Sequence, residues 1–230
     1  MSAQNMMGNA VNPDGKWTYR VGSIASLAIG LAYIVIIALY ASAGVPPEGG
    51  QARLDYLVGK TTIWWAIVGI SVLTNFLYVP LSLSLYFALR SVNRMAMLIG
   101  VAFIGLFVIL ENAVNWTVYG ALIVLSENYA AVTSEGQRAI LVAAATFASA
   151  VLESPLAAVW AIGTLSFGFL IIGFVMFKSV FSKLTAYIGI FIGILGIVAV
   201  AGVSIAVILN AVFATIWLFF IGYRLYQLSR

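Results

Sequence analysis

The chain has 230 residues, of which 63% are hydrophobic and only 8% charged, with a formal net charge of +4 and neither cysteine nor histidine. Soluble domains run at about 45–50% apolar and about 25% charged, so a water-soluble globule of this composition would leave far too much apolar surface in water. Disulfides, thiolate or imidazole metal sites, bis-histidine haem and a histidine general base are excluded with them. The composition predicts an all-α, polytopic transmembrane helix bundle forming a single membrane domain over residues 1–230.

A bilayer core of about 30 Å takes about 20 apolar residues of helix to cross. The first charge-free run covers residues 21–42 and is stopped by Gly44, Pro46, Pro47, Gly49 and Gly50. Ala41-Ser42-Ala43 resembles a signal-peptide cleavage site. The apolar run before it is longer than the ~7–15 residues of a signal-peptide core, however, and reads as a retained span. The second span, 61–89, carries Pro80; the third, 95–125, is interrupted only by Glu111 and its asparagine neighbours. Residues 139–177 are too many for one crossing at about 1.5 Å per residue. Ser154-Pro155 divides them, because proline favours a helix start and restricts the residue before it. A short non-spanning helix near 139–152 and a fourth span over 155–177 result. Residues 184–223 carry no charge. A turn near Gly202 and Ser204 splits them into spans 184–202 and 204–223. The expectation is therefore six spans.

Basic residues set the orientation. With the N-terminus inside, Lys16, Arg20, Arg90, Arg94, Lys178, Lys183, Arg224 and Arg230 fall on the cytoplasmic side, against Arg53, Lys60 and Arg138 outside. Glu48, Asp55, Glu127 and Glu135 lie outside and Asp14 inside. Both termini are thus expected in the cytoplasm, the chain being a multi-pass protein of the plasma membrane. Tryptophans favour interfaces, which places Trp17 and Trp217 near the inner boundary and Trp64, Trp65 and Trp116 near the outer one. The cations sit in pairs at span ends and form no polybasic run, so no nucleic-acid partner is implied.

The chain contains no H-E-x-x-H, G-x-S-x-G or phosphate-loop pattern. A non-catalytic protein is expected, with no cofactor and no metal. Glu111 is the most informative residue, because an ionisable group inside a membrane is costly and usually faces the bundle interior. It lies 17 residues beyond Arg94; Asn75 lies 15 before Arg90, Thr164 14 before Lys178, and Asn210 14 before Arg224. At ~1.5 Å per residue all four fall about 21–25 Å from a basic anchor, which predicts one polar layer. Asn112 adjoins Glu111, and Asn115 lies one turn further on its face. Pro80 leaves the carbonyl of Phe76 without its helical donor near that layer.

Two readings of the layer are open at this point. One is interhelical packing through hydrogen bonds; the other is a buried site for a proton, a cation or the head of a small ligand. Glu153, just before Pro155, is read as a cap on the N-terminus of the fourth span. Gly189, Gly193 and Gly196 form a small-residue stripe suited to close helix approach, within the chain or between chains. The aromatic residues suit either a lipid-facing belt or an apolar ligand pocket.

Leu85-Tyr86, Leu89-Arg90 and Val92-Asn93-Arg94 resemble the inner end of the second span in a family of small six-span prokaryotic membrane proteins of unknown function. Phe174–Ser179 with Leu184–Gly196 is similar to that family's junction of spans four and five. Ile216-Trp217-Leu218 and Ile221-Gly222-Tyr223-Arg224 are similar to its C-terminal ending. The resemblance covers about residues 20–225, and departs from the family at Phe181-Ser182-Lys183, where a proline is common. It implies six spans and no activity. The functional expectation is an accessory or binding subunit that packs against a membrane-protein partner or a second copy, or holds a lipid-like ligand. The alternative is a small transporter or channel using Glu111 and its asparagines, although no inverted repeat relates 20–125 to 139–225.

Overall fold

The computed structural model describes residues 15–230, so Asp14 lies outside the described residues. Among these the chain is helical throughout, without a strand. Helix α1 covers Gly15–Ala43, α2 Gly50–Leu57 and α3 Thr61–Leu110. A π-helical turn, Glu111–Trp116, carries α3 into α4, Thr117–Ala131. Then follow α5 (Glu135–Glu153), α6 (Pro155–Ala158), a second π-helical turn (Val159–Gly163) and α7 (Thr164–Met176). Helices α8 (Lys183–Val200) and α9 (Ser204–Ser229) complete the bundle. Five helical runs are long and apolar enough to cross a membrane: Gly15–Ala43, Thr61–Ala131, Pro155–Met176, Lys183–Val200 and Ser204–Ser229.

The longest of these runs is folded on itself. Asn93 leaves the helical region with φ −156° and ψ 96°, and its side chain accepts from the Ala96 amide at 3.0 Å, capping the limb that follows. Trp64 then stacks on Tyr119 at 5.2 Å, Asn75 bonds Asn112 at 3.1 Å, and Tyr78 meets Phe107 at 5.5 Å. Each pair is centred within two residues of position 93, the signature of an antiparallel hairpin. Pro80 sits inside the first limb without breaking it.

Small residues bring the helices together. Ser23 and Ser26 of α1 donate to the carbonyls of Gly222 and Leu218 on α9, both at 2.7 Å, and Ser84 of α3 donates to Thr18 at 2.7 Å. The glycine stripe of α8 packs within the chain: a Cβ on Gly193 would lie 2.5 Å from the Leu170 Cβ of α7, and Gly196 abuts Ser166. Large apolar side chains such as Ile24, Leu73, Phe76, Ile109, Phe174 and Ile208 stay on the outside. In water such a surface would be costly; against lipid tails it is not.

Tryptophan placement differs in part from the expectation. Trp17 and Trp65 are exposed at the flanks, but Trp217 is fully buried, donating to Thr185 at 2.9 Å with its ring 4.7 Å from Phe169. Trp64 is buried as well and donates to the Tyr56 hydroxyl at 3.3 Å. A partnered indole N–H makes a large ring cheap to bury, and depth along a helix says nothing of which way the ring faces.

One end of the bundle is capped by two helices that the sequence reading missed or shortened. The glycine-proline segment after α1 is only partly loop, because α2 forms at Gly50. Helix α5 has 19 residues and begins at Glu135, longer than the expected 139–152, and it packs across α2 and α4. It is absent from the five apolar runs. Arg53 is buried beneath this cap, where it donates to Pro47 at 3.1 Å and to Glu153 at 3.2 Å. Glu153 also accepts from the Gly49 amide at 3.0 Å. The expected capping role of Glu153 is thereby corrected: Ser154 is the N-cap, accepting from Leu156, and the carboxylate ties α5 to α2 instead. A charged neighbour outbids a helix end when it offers a buried guanidinium.

Candidate functional site

Helices α1 and α9 touch closely only along half their length. Beside Ser23, Ser26 and Gly222 the contact is tight. Further along, α1 presents Tyr33, Ile36, Ile37 and Tyr40, and α9 presents Val207, Asn210 and Ala211, and these line open space. A chamber of about 280 Å³ lies there, walled also by Ser71, Asn75, Phe107 and Glu111. A second of about 720 Å³ shares Ile36, Tyr40, Glu111, Trp116 and Ala211 with it and extends to Tyr119, Leu152 and Val212. Together they form a crevice whose walls are mostly apolar. Ile208, on its rim, is 61% exposed, so the crevice opens on the lipid-facing flank between α1 and α9.

Both π-helical turns border it. Glu111–Trp116 supplies Glu111, Asn115 and Trp116, while Ala161 and Ile162 come from Val159–Gly163. A π-turn inserts an extra residue per turn and rotates the following side chains, a device found often at functional sites. Asn115 donates to Glu111 Oε2 and to the Ala157 carbonyl at 3.3 Å, joining the two turns. Trp116 and Tyr119 lie 5.5 Å apart at the larger chamber. At the base of the smaller one Tyr33 and Tyr78 share a hydroxyl hydrogen bond of 2.7 Å.

Of the predicted polar layer, Asn75, Glu111 and Asn210 border the smaller chamber, and Glu111 and Asn115 the larger. Asn75 donates to Asn112, whose own amide donates to Val108 at 2.8 Å. Asn210 donates to Ile192 at 2.8 Å and weakly to Ser166 at 3.5 Å. Neither Asn75 nor Asn210 bonds Glu111 directly among the described residues; they share its cavity. Thr164 is buried but turned away, its hydroxyl donating to Trp160 in its own helix at 2.8 Å. Phe76 is exposed and lines neither chamber.

The aromatic wall of Tyr33, Tyr40, Trp116 and Tyr119, and both π-turns, went unread in the sequence. A mid-span Glu-Asn-x-x-Asn-Trp was the one available signal. Glu111 is the only acidic side chain on either chamber, and no three acidic residues converge on a metal-sized space among the described residues. No protein family, curated protein or solved structure matches this chain.

Proposed function

We propose that this protein is a non-catalytic membrane protein that holds an amphipathic, lipid-like molecule in the crevice between α1 and α9. The reading takes six crossings, the hairpin at Asn93 supplying two, with both termini cytoplasmic in a plasma membrane. On that topology Glu111 lies in the outer half of the bilayer and α5 rests at the outer interface. The carrying observation is a mostly apolar crevice, open sideways to lipid, that ends on a buried carboxylate flanked by asparagines. Ligand sites are commonly concave and apolar with a few convergent polar groups.

Of the expected accessory roles, packing on a partner and holding a ligand, the crevice favours the second. The transporter reading needs, in addition, a route past the tightly packed half where Ser23 and Ser26 bond α9. The test is native mass spectrometry of protein released from native membranes, comparing wild type with Ala211→Trp, which puts an indole where the two chambers meet. Retention of a small-molecule adduct by wild type and its loss in the variant is expected. Equal adduct patterns in the two proteins would overturn the reading.

A further inference from the structure

The asparagines around the crevice have their polarity sorted. Each amide orientation is fixed by a backbone carbonyl or by a neighbour that is itself so fixed. Asn210 Nδ2 donates to Ile192 and Asn115 Nδ2 to Ala157. Asn112 Nδ2 donates to Val108, which turns its Oδ1 toward Asn75 Nδ2. Each amide thus spends at least one N–H inside the protein, and the oxygens of Asn75, Asn115 and Asn210 are left over. Asn75 Oδ1, Asn210 Oδ1 and Glu111 Oε1 accept no hydrogen bond among the described residues, and all three residues face the smaller chamber. Asn115 Oδ1 is buried beside them without a partner. Among the residues on the wall, Trp116 Nε1 is a buried donor without a partner, and the hydroxyls of Ser71 and Tyr40 make no hydrogen bond among the described residues. No lysine or arginine lines either chamber.

A cavity whose carboxylate has no counter-ion, and whose amide oxygens accept from no N–H among the described residues, lacks positive charge and donors aimed at those oxygens. Buried carboxylates are costly unless paired and hydrogen-bonded. Tyr40, Phe107 and Trp116 line the same space, and aromatic rings attract cations. We infer that the head group this crevice takes is a protonated primary or secondary amine on an apolar body, its N–H groups donating to Glu111, Asn75 and Asn210. The small chamber receives the head and the larger, laterally open one the body. This inference rests on the ligand-binding reading and adds the chemistry of the head to it.

The test is competition for a fluorescent long-chain alkylammonium bound to the protein in nanodiscs of zwitterionic lipid. The competitors are dodecylammonium, dodecyltrimethylammonium and dodecanol, and the proteins are wild type, Glu111→Gln, Glu111→Asp and Ala211→Trp. Wild type is expected to prefer dodecylammonium at least tenfold over dodecanol, and several-fold over the trimethyl compound, which has charge but no donor. Glu111→Gln should erase the preference over dodecanol while still binding it, and Glu111→Asp should keep part of the preference. Equal binding of dodecanol and dodecylammonium by wild type would overturn the amine inference and leave the lipid-like reading standing. Equal binding of the trimethyl compound would overturn the donor requirement. Binding unchanged in Ala211→Trp would show that the crevice is not the site, and both readings would fall.

Discussion

Asn75 Nδ2 donates to Asn112 Oδ1 at 3.1 Å across the two limbs of the hairpin, 37 residues apart in the chain. The bond does two things at once. It staples the limbs near the crevice, and it leaves the oxygen of Asn75, a residue on the chamber wall, without a partner among the described residues. Asn112→Leu should cost about 1 kcal/mol, since Asn75 is left without its acceptor and interhelical polar bonds contribute about 0.6 kcal/mol on average. Asn75→Leu combined with Asn112→Leu should cost less than the sum of the singles. Thermal unfolding of the four proteins in one detergent measures the coupling; strict additivity would show that the pair does not interact.

The topology is open to cysteine labelling because the chain contains no cysteine. Cysteines at Gln51, Ser91 and Ser229 suit the purpose; the first two are exposed, and all lie near bundle ends. An impermeant maleimide applied to intact cells should label Gln51→Cys and neither of the others until the membrane is permeabilised. Labelling of Ser91→Cys in intact cells would overturn the six-span orientation.

One ion pair lies within the end cap, beside its apolar contacts. Arg53 and Glu153 have side chains only 6% and 34% exposed, and the carboxylate also accepts from the Gly49 amide. Glu153→Ala leaves a buried guanidinium unpaired and should destabilise the protein by about 2 kcal/mol, less than a fully buried pair because Glu153 retains solvent. A lower unfolding temperature is expected, with increased proteolysis at 44–60. Glu48→Ala, removing a carboxylate with no hydrogen-bond or ion-pair partner among the described residues, should leave the melt unchanged.

Helices α7 and α8 meet through glycine. A Cβ on Gly173 would stand 2.8 Å from the Ile190 backbone nitrogen and 3.1 Å from the Ala186 carbonyl, neither of which can rotate away. Gly173→Ala should therefore cost about 2 kcal/mol through forced separation of the helices. At Gly69 nothing lies within 4 Å of the added atom, and Gly69→Ala should be neutral or slightly stabilising by helix propensity. Detergent melting curves of both variants check the contrast.

Composition and the length of charge-free runs were enough to predict a bundle of long apolar helices, because lipid demands such helices whatever they pack against. Counting from basic anchors placed Asn75, Glu111 and Asn210 at one depth, since rise per residue is a local property. It could not tell that Thr164 points elsewhere, because azimuth about an axis is set by the neighbours a helix meets. The π-turns at Glu111 and Val159, which rotate the site residues into place, come from tertiary fit and carry no sequence period of their own. Arg53 looked like an ordinary loop cation until α5 folded over it. The crevice lies where α1 and α9, closed on serines and glycine at one end, leave open space lined by tyrosine and isoleucine at the other. That is a relation between two helices some 190 residues apart in sequence, and only the folded chain contains it.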